Sequence, residues 1–91
     1  MAFDVGDSLR FVCAFTLLRV QTDPTTVILT ITSPTAVVYT LTLAGGDITR
    51  DSVGLFHYIM TMDEDGAWTW RWVGVGVITQ AVQGRFIVNP V

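Results

Sequence analysis

Residues 67–73 read Ala67-Trp68-Thr69-Trp70-Arg71-Trp72-Val73. Tryptophan at every second position puts all three indoles on one face of an extended chain, because successive side chains of a β-strand point to opposite sides. A helical repeat of 3.6 does not gather them. Just upstream, residues 55–61 repeat the pattern with Phe56, Tyr58 and Met60 in one phase and Leu55, His57 and Ile59 in the other. Between the two lies Asp63-Glu64-Asp65-Gly66, which reads as an acidic hairpin turn pairing the strands on either side of it. The shared phase places Trp68, Trp70 and Trp72 at the centre of a core. The competing reading is an exposed aromatic platform that stacks on sugar rings.

The same period of two runs outward from this pair. In residues 8–16, Leu9, Phe11, Cys13 and Phe15 share a face and Arg10, Val12 and Ala14 take the other. In residues 26–33 the inward set is Val27, Leu29 and Ile31, and Ser33-Pro34 ends the run, since proline cannot donate to a ladder. Residues 36–43 carry Val37, Tyr39, Leu41 and Leu43 in one phase and lead into the turn Ala44-Gly45-Gly46-Asp47. Residues 48–50 form a short edge strand, residues 51–54 a turn, and residues 80–88 the last strand, with Phe86 and Val88 in phase. Residues 17–22 fit neither period, and the glycines of 74–78 suggest a bulge or a mobile hairpin arm. Seven short strands without a helical pattern predict an all-β fold: a single antiparallel β-sandwich over 1–91, immunoglobulin-like or fibronectin-like in architecture. Hairpin meanders and Greek keys both fit this spacing.

Composition narrows the function classes. The chain has 91 residues, 51% hydrophobic and 14% charged, with a net charge of −3. That length supports one core, and the apolar fraction is incompatible with disorder. The acidic balance lacks the basic footprint that nucleic acid or an anionic membrane selects, so neither is expected as a partner. No apolar run approaches the roughly 20 residues of a membrane span, and Asp4 stands where a signal peptide carries basic residues. The single cysteine makes no internal disulfide, so packing must hold the fold.

Few groups offer chemistry. His57 falls in the outward phase with no second histidine to share a metal, and Cys13 alternates with Phe11 and Phe15 as a small hydrophobe. Asp63, Glu64 and Asp65 are the strongest metal-like cluster, but they lack the alternate-position ligands and later glutamate of a calcium loop. They read as a solvated turn, with an adventitious calcium site as the alternative. No catalytic, cofactor-binding or metal residue is therefore expected. The anomaly is the outward phase itself, where Val12, Ile28, Val38, Leu55, Ile59 and Val73 stand at positions that are polar in a free sandwich. With His57 they form the expected interface, a sheet face or edge covered by another chain.

Four segments carry a family resemblance: residues 3–10 (Phe3-Asp4-Val5-Gly6-Asp7-Ser8-Leu9-Arg10), 23–27 (Asp23-Pro24-Thr25-Thr26-Val27), 48–57 (Ile48-Thr49-Arg50-Asp51-Ser52-Val53-Gly54-Leu55-Phe56-His57) and 66–72 (Gly66-Ala67-Trp68-Thr69-Trp70-Arg71-Trp72). Together they resemble small immunoglobulin-like virion structural proteins of tailed bacteriophages, of the head decoration or cement type. The resemblance implies a non-enzymatic, cofactor-free virion protein that binds the major capsid protein or another virion protein and associates with itself. The alternative is an immunoglobulin-like adhesion or carbohydrate-binding module on a tail or cell surface.

Overall fold

The computed structural model describes residues 3–76 and 79–90. Among them are ten strands and no helix: β1 (Phe3–Asp4), β2 (Ser8–Ala14), β3 (Thr16–Leu17), β4 (Val20–Gln21), β5 (Thr26–Thr32), β6 (Val38–Thr42), β7 (Thr49–Ser52), β8 (Leu55–Thr61), β9 (Gly66–Val75) and β10 (Gln80–Asn89). Each segment expected to be a strand contains one. The expected count of about seven is corrected by three further strands of two residues each, too short to establish a period.

Two sheets enclose the core. One has five strands in the order β1-β10-β9-β5-β6, antiparallel except for the parallel contact of β1 with β10. The other has three, in the order β2-β8-β7. Their inner faces are the alternating sets of the sequence: Leu9, Phe11 and Cys13 with Phe56 on one side, Val27, Leu29 and Ile31 with Trp68 and Trp72 on the other. Trp68 stacks between Tyr39 and Phe86, with ring centroids 6.4 and 6.2 Å away, and Phe86 reaches Phe11 in the facing sheet at 5.8 Å. This aromatic row joins the layers, and each fully buried large side chain contributes about 1.5–3 kcal/mol.

The acidic segment does not close a hairpin. Because β8 belongs to the three-stranded sheet and β9 to the five-stranded one, it crosses between layers. Hairpin partners and strands in facing sheets present the same alternation to a core, so period alone does not separate them. The crossing is held by the indole N–H of Trp68, which donates to the Glu64 carbonyl at 3.1 Å, and by the Thr35 hydroxyl, which donates to the Glu64 carboxylate at 2.8 Å.

Residues 17–22 fold largely into a small hairpin. Thr16 pairs with Gln21 and Leu17 with Val20, leaving Leu18 and Arg19 as a two-residue turn with φ of 51° and 68°. Positive φ at both central positions is the geometry that Asn-Gly normally supplies. Gly74 is also corrected. It lies inside β9, buried where a Cβ would stand 2.7 Å from the Phe15 ring and 2.8 Å from Pro24, so it is small for packing and not for mobility. Val77 and Ile78 of the expected arm lie outside the described residues.

Candidate interaction surface

The tryptophans share a phase but not an environment. Trp68 and Trp72 are fully buried, whereas Trp70 is inward-facing and half-buried. It lies over Gly84 of β10, where a Cβ would meet its ring at 2.6 Å, at the mouth of a groove between the sheets. Phe3, Leu9, Phe11, Trp70, Trp72 and Phe86 line this groove of about 340 Å³, with Arg10 and Val12 on its rim. The sandwich is therefore open along the side where β2 faces β1 and β10.

The seven expected interface residues divide between opposite faces. On the outer face of the three-stranded sheet, register sets Val12 beside His57, Ala14 beside Leu55 and Arg10 beside Ile59. Val12 and Ile59 are 50% and 53% exposed, while Leu55 and His57 are half-buried. At the centre of this patch a bulge between Arg50 and Ser52 aims Asp51 at His57. The Asp51 carboxylate accepts from His57 Nδ1 at 2.7 Å and from Arg10 Nη2 at 3.4 Å. The contact holds the ring against the sheet, and Arg10 Nη2 approaches the same Nδ1 at 3.3 Å.

Ile28, Val38 and Val73 lie on the other side of the molecule. Ile28 and Val73 are half-buried cross-strand partners on the outer face of the five-stranded sheet, and Val38 is 57% exposed on its edge strand β6. Val75 and Ile87, 46% and 43% exposed, add to the apolar area of that face, and polar side chains fill its centre. Thr30, Thr32, Thr69, Arg71, Gln83 and Arg85 border an open concavity of about 590 Å³, in which Arg71 donates to the Gln83 side-chain oxygen at 2.8 Å.

Of the exposed apolar side chains that were not expected, three cluster at one place. Leu17, Leu18 and Val20 surround the β3–β4 turn, with Leu18 90% exposed. The only signal was an apolar run that fits no period, Leu17-Leu18-Arg19-Val20. The hairpin is anchored by Gln80, whose amide donates to the Thr16 carbonyl at 2.7 Å. Beside it the Asp23 carboxylate accepts from Arg50 Nε at 3.1 Å, from Arg50 Nη2 at 2.9 Å and from the Gly54 backbone at 2.7 Å, which holds it below the usual carboxylate range.

Burial pushes the Cys13 thiol up to about 11, so it stays protonated at neutral pH and acts as a packing group. Among the described residues, no three His, Cys, Asp or Glu side chains converge as metal ligands. Comparison with family models, with curated proteins and with solved structures finds no match to the chain.

Proposed function

We propose that this chain is a non-enzymatic, immunoglobulin-like structural subunit of a virion, most simply a capsid decoration or cement protein. It docks on the major capsid protein or another virion protein through its sheet faces and edges, and on further copies of itself. The immunoglobulin-like assignment is supported by the strand order, with β2-β8-β7 facing β10-β9-β5-β6 and chain crossings between the layers.

The observation that carries the reading is the outer face of the three-stranded sheet. Val12 and Ile59 stand half out of the surface there, Leu55 and Ala14 extend the apolar area, and the polar groups at its centre satisfy one another. Covering two or three such aliphatic side chains is worth about 1.5–3 kcal/mol each at full burial, a modest contact that a lattice multiplies by repetition. His57 sits on a flat sheet between Val12 and its bonded carboxylate rather than in a cleft, which favours contact over catalysis.

Ile59→Lys tests the reading. The side chain is exposed, so the substitution leaves folding intact, whereas Leu55→Asp would also disturb a half-buried position. A lysine desolvated without a partner weakens docking, and the variant is expected to fold by circular dichroism yet fail to enter particles. Normal incorporation would refute this face as the docking surface. The adhesion or carbohydrate-binding alternative rests on the concavity at Arg71 and Arg85. Glycan binding abolished by Arg71→Ala, with particle incorporation absent in the parent, would replace the first reading with the second.

A further inference from the structure

Strand β2 is an edge of the three-stranded sheet, and its hydrogen-bonding parity can be read from the contacts that flank it. Phe15 N–H donates to the Gly54 carbonyl at 2.7 Å and Met62 N–H to the Asp7 carbonyl at 2.9 Å. Both pairs lie in the β2–β8 register and both use odd-numbered residues of the first strand. Antiparallel ladders alternate bonded and non-bonded pairs, so Leu9, Phe11 and Cys13 bond β8, and the backbones of Ser8, Arg10, Val12 and Ala14 point away from the sheet. None of the other hydrogen bonds among the described residues reaches those backbone groups.

The remaining edges are defended. β7 is four residues long, bulged, and carries Arg50 and Asp51. β6 is five residues long, and Asp47 caps the N–H and carbonyl of Thr42 on its free side at 3.3 and 3.2 Å. β10 is partly covered by β1 and carries Arg85. β2 has seven residues, no bulge and no proline, with Arg10 as its one charged side chain, so it is the longest regular strand left wholly unpaired on one side among the described residues. The core also leaks along it. Leu9, Phe11 and Cys13 keep 8, 7 and 6% of their surface, against 0% for Phe15, Leu29 and Ile31.

We propose that β2 pairs edge to edge with β2 of a second copy, antiparallel and with Arg10 opposite the partner's Val12. Three observations select a second copy and this register. Full overlap of Ser8–Ala14 with itself sets Ser8 against the partner's Ala14 and Arg10 against the partner's Val12, each pair exchanging two backbone hydrogen bonds. Of the two registers one pair away, one opposes the two arginines directly, a destabilising contact, and the other sets Val12 against the partner's Val12 but shortens the overlap to Arg10–Ala14 and leaves Ser8 unpaired. On the inner side Phe11 meets the partner's Phe11 on the two-fold axis and Leu9 meets the partner's Cys13, which covers the apolar atoms now exposed along the groove. A net charge of −3 per chain opposes the approach only weakly. This contact rests on the reading of the chain as an assembling subunit and supplies its isologous interface.

Sedimentation equilibrium over a wide concentration range tests it, with the full chain and four variants checked for folding by circular dichroism. The parent is expected to dimerise. Val12→Pro deletes a donor that faces away from β8 and should leave a folded monomer, whereas Thr40→Pro on β6 should still dimerise. Val12→Lys places a cation opposite the partner's Arg10 and should raise the dimer dissociation constant about tenfold or more, while Val12→Glu should leave it unchanged or lower it. The lysine–glutamate contrast decides the matter if the proline variant fails to fold. A parent that is monomeric throughout, a folded Val12→Pro that still dimerises, or an equal effect of lysine and glutamate would overturn the proposal. Normal entry of a monomeric parent into particles would overturn this contact alone and leave the docking function standing.

Discussion

Replacing Trp68 and Trp70 separately with alanine should give unequal losses, although the two residues share a strand face. Trp68 is fully buried, lies between Tyr39 and Phe86 at 6.4 and 6.2 Å, and donates its indole N–H to Glu64. Its removal opens a cavity in the aromatic row and should cost about 3–5 kcal/mol. A chain of this length has roughly 5–14 kcal/mol in total, so the variant is left with a fraction of its stability. Trp70 is half-buried at the mouth of the groove, and water already reaches part of the ring. Scaling the transfer term by the smaller burial gives about 1–2 kcal/mol. Urea unfolding followed by far-ultraviolet circular dichroism, with both variants fitted at a common slope, measures the difference. At about 4–8 °C per kcal/mol, the melting temperatures should be well separated. Equal losses, or a larger one at Trp70, would refute the assignment of Trp68 to the core and Trp70 to the groove.

Gly54→Ala should destabilise by about 2 kcal/mol or more in the same assay, because φ is +72° and the added Cβ would stand 2.6 Å from the Phe15 carbonyl oxygen and 2.7 Å from the Thr22 nitrogen, both backbone atoms. A neutral substitution would contradict the close approach of β3–β4 to this turn. Arg50 and the Gly54 N–H hold the Asp23 carboxyl below its ordinary value, so its contribution is full above about pH 4 and is lost as pH falls through the folded value. Asp23→Asn should therefore flatten the acid limb of the stability–pH curve, and superimposable limbs for parent and variant would exclude the clamp. The Cys13 thiol, raised to about 11 by burial, should react with a disulfide reagent at pH 8 only as fast as the protein unfolds. Rapid stoichiometric labelling of the folded chain would show that Cys13 is exposed.

The inner faces were legible because a buried side of a sheet imposes a period of two, and Leu9, Phe11 and Cys13 or Val27, Leu29 and Ile31 can satisfy it in one way only. What the period does not encode is which sheet a strand joins. Phe56 and Trp68 face the same core from opposite layers, so the acidic segment read as a hairpin is a crossing. The same limit divided the expected interface. Val12, Leu55, His57 and Ile59 share one outer face, while Ile28, Val38 and Val73 lie on the other. Turn chemistry hid the β3–β4 hairpin, since Leu18 and Arg19 occupy conformations usually taken by asparagine and glycine. The bulge that brings Asp51 to His57 depends on a register shift between β7 and β8, a property of pairing and not of either strand's sequence.

The central claim is that the chain is built into a particle by its surface. Quantitative mass spectrometry of purified virions from a lysate that produces the chain tests it most directly. The account predicts the chain in the particle fraction at a fixed ratio to the major capsid protein, with Ile59→Lys lost from that fraction while remaining folded and soluble. Recovery of the parent chain only outside the particles would contradict it.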